Sequence, residues 1–219
     1  MRHRVFTRHT AFSDIEPLIA LQRRVYPNIP AWRADLLRHQ LEVFPQGQIV
    51  AELKGELVGA ASALVVAWDD WHAGHTWQDI TARGSFDTHN PHGFTLYGAE
   101  VFVHPHKRGT GIGHALYSAR RRLCRDMNLR RIIACGRLPG YHRFADQMPV
   151  DWYVKKVIWG DLHDPVLSFQ LHEGFNFCGI INDYIPEDTE SRGYASLIVW
   201  VNPRFNERKP TRLTERKLL

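Results

Sequence analysis

Cysteine is scarce: the 219 residues hold three, at 124, 135 and 178, too few and too scattered for a disulfide framework. No apolar run approaches the roughly 20 residues that a bilayer span needs. The longest, Leu57 to Trp68, is interrupted by Gly59 and Ser62. The opening Met-Arg-His-Arg lacks the apolar centre of a signal peptide, so a cytoplasmic setting without membrane contact is expected. Gly-Lys-[Ser/Thr] does not occur, which excludes the phosphate loop of nucleotide hydrolases. His72-x-x-His75, His89-x-x-His92 and His104-x-His106 stand without a nearby cysteine, and zinc sites want three or four ligands at set spacing, so no metal is expected.

What is present can build a core. Hydrophobic residues make up 44% and aromatics 11%, enough for one domain with insertions at this length. Lysine and arginine exceed aspartate and glutamate, giving a net charge of +5 that suits acidic ligands. Arg120-Arg-Arg122 reads as a solvated helix surface, and no basic run is interleaved with aromatics, so nucleic acid is a weak alternative.

The informative stretch is Leu96 to Asn128. Val101 and Val103 alternate with Glu100, Phe102 and His104 at strand period, and Pro105 ends the run because proline cannot donate to a ladder. Arg108-Gly-Thr-Gly-Ile-Gly113 follows. Ile112, Leu116, Ala119, Leu123 and Met127 then recur on one helical face, with His114, Arg121 and Arg125 on the other. A glycine turn leading into a helix N-terminus is an anion site, because the first N–H groups lack internal partners and the helix dipole is positive there. A dinucleotide fingerprint needs Gly-x-Gly-x-x-Gly and an acid about 20 residues on. Here the spacing is Gly-x-Gly-x-Gly, and Arg130-Arg131 occupies the later position.

What fits is [Gln/Arg]-x-x-Gly-x-[Gly/Ala], here Arg108-x-x-Gly111-x-Gly113, preceded by Val-x-Val-x-Pro at 101 to 105. This resembles the GNAT superfamily of acyl-CoA-dependent N-acetyltransferases. Thr88-His-Asn-Pro91, Thr95-Leu-Tyr-Gly98, Gly136-Arg-Leu-Pro-Gly-Tyr-His142 and Asp164-Pro-Val-Leu-Ser-Phe-Gln170 are similar to the acetyltransferase half of bacterial proteins in which that domain precedes a carbon-nitrogen hydrolase. The resemblance implies an α/β GNAT fold, a mixed sheet with two splayed parallel strands flanked by helices. It implies acetyl-CoA as co-substrate and a small-molecule or peptide amine as acceptor. It leaves open a homodimer and a separate carbon-nitrogen hydrolase partner.

The domain is expected over 1–202, with insertions at 69–94 and 136–161 and a basic, mobile tail at 203–219. Arg4 to His9 reads as a strand, and Ser13-Asp-Ile-Glu16 as a capping box before a helix. Pro30 opens a second helix through Leu41. Lys54-Gly55 joins two strands in a hairpin. Val154, Val157 and Ile158 make part of the second insertion helical, and Asp164-Pro165 starts a helix that Gly174 closes. In the first insertion Asp79 could attract an amine among aromatic neighbours, or the tryptophans could merely anchor a surface loop. Tyr141 and His142 are candidate substrate contacts in the second.

Acetyl transfer to an alkyl amine requires removal of a proton, since such amines have a pKa of about 10. Glu100 is the first candidate base and Tyr97 its rival. The resemblance implies that Val101, Phe102, Val103, Arg108, Gly109, Thr110, Gly111, Ile112, Gly113 and Phe169 hold the coenzyme, a backbone N–H near Phe102 or Val103 polarising the thioester. It also implies a tyrosine acid, but Gln170 stands in that slot, and His163 replaces an expected asparagine. A thiol of pKa about 8.5 leaves readily without that acid. A non-catalytic acyl-CoA-binding module is therefore the alternative reading.

Overall fold

The computed structural model describes residues 4–27, 31–71 and 74–212. Seven strands form one mixed sheet in the order β1-β2-β3-β4-β5-β7-β6: β1 Phe6–His9, β2 Ile49–Leu53, β3 Glu56–Val66, β4 Thr95–Val103, β5 Arg131–Arg137, β6 Asn176–Ile181 and β7 Ala195–Val201. The helices are α1 Ile15–Val25, α2 Ala34–Val43, a single turn α3 Trp77–Ile80, α4 Ile112–Asp126, α5 Val150–Trp159 and α6 Leu167–His172. The mixed α/β fold inferred from the sequence is the one observed.

β2 and β3 are joined through Lys54 (φ 55°) and Gly55 (φ 78°), the double positive φ of a tight two-residue hairpin. β4 and β5 run parallel because α4 carries the chain back across the sheet. α1 and α2 cover one face through a cluster of Ile15, Leu18, Leu37, Leu41, Val50, Ala60 and Phe102. α4 covers the opposite face, where Ile112 and Leu116 pack on Ile49, Ala51 and Ala61.

Three local expectations change. Ser13 does not cap α1. Instead a short 3-10 turn, Phe12–Asp14, leads into it, and the Asp14 carboxylate accepts from Ala11 N–H at 2.7 Å. Arg8 on β1 also donates to both Asp14 oxygens, at 2.6 and 2.9 Å, so the strand itself supplies the partner that fixes the helix entry. α2 begins at Ala34, later than a helix opened by Pro30; Pro30 itself lies outside the described residues. Residues 203–212, read as a mobile tail, are docked. Asn128 Nδ2 donates to the carbonyls of Asn206 and Lys209, at 2.9 and 2.8 Å, and Phe205 lies under the Arg130 guanidinium. Apolar and amide groups within the tail, invisible to a charge count, cause the difference. Residues 213–219 lie outside the described set.

Asp14 yields a stability prediction. The Arg8 guanidinium holds its carboxyl below the usual range. A carboxylate depressed in the folded state stabilises fully above its unfolded pKa of about 4, and that contribution is lost as pH falls through the folded value. Asp14→Ala should cost about 1.5–3 kcal/mol near neutrality, read from urea denaturation, with the deficit shrinking in acid.

The insertions are ordered by specific anchors. His89 Nδ1 accepts from Val65 N–H at 3.1 Å and its ring stacks on Phe44 at 4.6 Å. Burial pushes its pKa down to about 4, so the ring is neutral. Ile80 and Phe86 enter the core beside Leu64, Val66 and Tyr97. In the second insertion α5 packs Tyr153, Val154 and Val157 inward.

Candidate active site

β4 and β5 pair only through Thr95↔Arg131, Leu96↔Ile132, Tyr97↔Ile133 and Gly98↔Ala134. Past Gly98 and Ala134 the two strands part, although β4 stays paired with β3 to Val103 and β5 with β7 to Arg137. The facing backbone edges of 99–103 and 135–137 thus open a V-shaped cleft in the sheet. The glycine loop lies beyond the end of β4, at the cleft's mouth.

That loop is shaped for an anion. Gly109 and Gly111 have φ of 76° and 88°, which other residues avoid. A Cβ on either would meet nothing within 4 Å, so the loop needs glycine for its conformation and leaves open space around it. The first bond of the α4 ladder is Ala115 N–H to Gly111 O, at 3.0 Å. The amides of Ile112, Gly113 and His114 precede it. No side chain caps them, because the N-cap is Gly111 itself. Thr110 turns its hydroxyl back to Lys107 O, at 2.6 Å. Arg108 is exposed beside the loop, and Phe169 lies against Gly113, where a Cβ would stand 3.0 Å from its ring.

Glu100 sits within the splayed part of β4 and accepts from the Tyr26 hydroxyl at 3.1 Å. Burial pushes its carboxyl up to about 7, against the lowering pull of Tyr26, Arg137 and Arg120. A carboxyl poised there suits proton abstraction at neutral pH. Across the cleft Arg137 at the end of β5 is bound by Asp188 and by Glu190, the latter at 2.9 Å. Phe102 closes the side toward α1 and α2, edge-on to Tyr26 and Trp32 at 6.3 and 5.2 Å. Val101 and Val103 turn to the α4 side, against Ile112 and Leu116.

Gln170 is 5% exposed and presses on Gly136, where a Cβ would overlap its carboxamide. Its Nε2 donates to the Tyr117 hydroxyl at 3.2 Å, and its Oε1 alone among the described buried side-chain atoms lacks a partner. Gly136 belongs to the splayed part of β5, so the Gln170 carboxamide packs behind that part of the strand. Gly136→Ala should cost about 1–3 kcal/mol through overpacking, read as a fall in melting temperature.

Several sequence candidates are placed elsewhere. Tyr97 is fully buried with its hydroxyl held by Tyr184 at 2.7 Å and His75 at 3.1 Å; burial drives its pKa well up, which disfavours the anion a base would need. Asp79, in the first turn of α3, directs its carboxylate back to the N–H and hydroxyl of the capping residue Thr76, at 3.0 and 2.6 Å. Tyr141 is buried with its hydroxyl on Met148 O, and exposed His142 bonds Pro139 O at 2.7 Å. His163 is exposed. Among the described residues no three His, Cys, Asp or Glu side chains gather as metal ligands would, and His72 lies outside them. No described helix is long and apolar enough to cross a membrane.

Sequence reasoning missed Tyr26, Arg120 and Arg137. Arg120 carried a signal: it stands four residues after Leu116 and three before Leu123, on the apolar face of α4. Tyr26 and Arg137 carried none, since their meeting at Glu100 depends on the tertiary fold.

A model of the acetyltransferase (GNAT) family matches residues 15–143. The chain belongs to the GNAT acetyltransferase family. It is an acyl-CoA-dependent acyltransferase by that membership. It is 46% identical over 189 residues to the probable hydrolase YhcX of Bacillus subtilis, covering 86% of this chain but only 37% of that protein. It is 37% identical over 194 residues to the uncharacterized N-acetyltransferase YkwB of the same bacterium, covering 87% of this chain and 85% of YkwB. Among solved structures, the GNAT-like decarboxylase GphF in complex with isobutyryl-CoA is 25% identical, with a TM-score of 0.75 over 91% of this chain and all of that one.

Proposed function

We propose that this GNAT enzyme transfers an acetyl group from acetyl-CoA to a primary amine by direct attack, with Glu100 as the base. The observation that carries this reading is Glu100 itself, a carboxyl poised near neutrality in the cleft between β4 and β5. The coenzyme supplies an activated thioester. The amides at the start of α4, with Arg108, hold its diphosphate. The unpaired edge of β4 past Gly98 offers N–H groups to the thioester carbonyl. Glu100 receives the amine's proton, directly or through one water, while Tyr26 orients its carboxylate. No side chain need protonate the departing thiol, because its pKa of about 8.5 makes the thiolate a fair leaving group.

A panel of amines, amino acids and peptides with acetyl-CoA, read by release of free thiol, tests the reading. Turnover above background with at least one amine is expected. Tight acetyl-CoA binding with no turnover would favour the non-catalytic module.

The likeness to GphF supports a second reading, in which the acyl group carries a carboxylate that leaves as carbon dioxide and the protonated form of Glu100 returns the proton. Carbon dioxide released from malonyl-CoA or methylmalonyl-CoA, with no amine required, would favour it. A carbon-nitrogen hydrolase partner rests on the match to part of YhcX, and co-purification of the two chains tests it. A homodimer is tested by light scattering.

A further inference from the structure

β4 carries a bulge at the point where it leaves β5. Ser62 on β3 faces Glu100 while the next residue, Ala63, faces Gly98, so Ala99 is the extra residue. Such a bulge bends the strand and re-aims the side chains that follow. Both carbonyls at this bend are held. Trp77 Nε1, from the first insertion, donates to Ala99 O at 3.0 Å on one side of the sheet. From α4 on the other side, Arg120 Nη2 donates to Glu100 O at 2.7 Å and to Ser62 O at 2.9 Å.

Arg120 is 2% exposed, and its guanidinium bonds backbone carbonyls, with no direct salt bridge to a carboxylate among the described residues. A buried guanidinium without a direct salt bridge is expensive, and an aliphatic side chain would fill an apolar helix face at lower cost. Its fork spans two strands at the bulge, with its carbon over the Tyr117 ring at 5.7 Å. It also occupies the space beside Gly98, where a Cβ would stand 2.7 Å from Nη1. This geometry fits a strut for the bent backbone better than a core filler.

We propose that Arg120, opposed by Trp77, is a positioning residue that locks the β4 bulge and thereby aims the Glu100 carboxylate into the cleft. The inference rests on the reading of Glu100 as the base. The insertion gains a role from it: Trp77 supports the site without touching substrate. The charged and titratable groups that face Glu100 are Tyr26 just after α1, Arg137 from β5, Arg120 from α4 and Tyr184 from the loop before β7. Losing Arg120 removes one cation and frees the bulge, so Glu100 should become harder to ionise and less fixed in orientation.

The test is a carbon-13 NMR titration of the Glu100 side-chain carboxyl in the full chain, the resonance being assigned by its loss in Glu100→Gln. In Arg120→Met the midpoint should rise by about half a unit, and amide exchange at 99–101 should quicken. Arg120→Lys keeps the charge without the fork, so its midpoint should stay near wild type while exchange still quickens. Trp77→Phe should quicken exchange with no change in midpoint. Gly98→Ala displaces the guanidinium without altering it and serves if Arg120→Met does not fold. A folded Arg120→Met, or Gly98→Ala in its place, with wild-type midpoint and wild-type exchange overturns the proposal. Failure of the base reading shows separately, as undiminished thiol release by Glu100→Gln.

Discussion

Glu100→Gln is expected to slow acyl transfer by about 10²- to 10⁴-fold, the range that a positioned general base contributes, while acetyl-CoA binds as before. Glutamine keeps the shape and can still accept from Tyr26, so the variant removes proton uptake and little else. The pH profile carries the sharper content. A base works in its ionised form, and Glu100 is half-ionised at about pH 7. Turnover of the bound complex should therefore climb through neutrality, reach half its plateau near pH 7, and lose that limb in the variant. A wild-type rate that is flat from pH 5 to 8, or a variant that keeps the same limb, would remove Glu100 from the chemistry. Steady-state thiol release across that range makes the measurement.

Gly111→Asp should weaken acetyl-CoA binding by about a hundredfold or more, close to 3 kcal/mol. The residue sits at φ 88°, where a side chain other than glycine's costs roughly 1–2 kcal/mol. Electrostatics does more. A carboxylate at the N-cap competes for the amides of Ile112, Gly113 and His114 and repels the diphosphate that they would hold. Gly111→Ala supplies the strain without the charge and should lose much less affinity. Calorimetry on both variants, with circular dichroism to show that each is folded, separates the two causes. Equal affinities in wild type and Gly111→Asp would mean that the loop does not bind the coenzyme.

The strand, loop and helix from 95 to 126 are legible in the sequence because their physics is local. Apolar alternation, a proline stop, glycines and a 3.6-residue period all lie within one short stretch. The hairpin at Lys54-Gly55 and the helix ending at Gly174 are readable for the same reason, as backbone rules written into single residues. Long-range partners are not readable. Ser13 has the chemistry of a cap, but Arg8, on another element, engages Asp14 instead. Asp79 and Tyr141 have suitable chemistry for a substrate, but their polar atoms bond to neighbours within their own insertions. Arg120 reads as surface because its neighbours Arg121 and Arg122 draw it into a charged cluster, although its helical phase places it inside. Where charge and periodicity disagree on this helix, the buried position of Arg120 shows that periodicity rules.

The seven pairs between β5 and β7 bear on how the chain must be handled and how it assembles. β5 is an interior strand whose flanking partner arrives nearly sixty residues later in synthesis. The segment matched by the family ends at residue 143, well before that partner. A protein cut there would present Ile132, Ile133 and Ala134 on a bare edge, hydrogen-bond groups and all, ready to recruit a second molecule. The last strand is thus a shield as much as a structural member, and fragments lacking it should be recovered as aggregates.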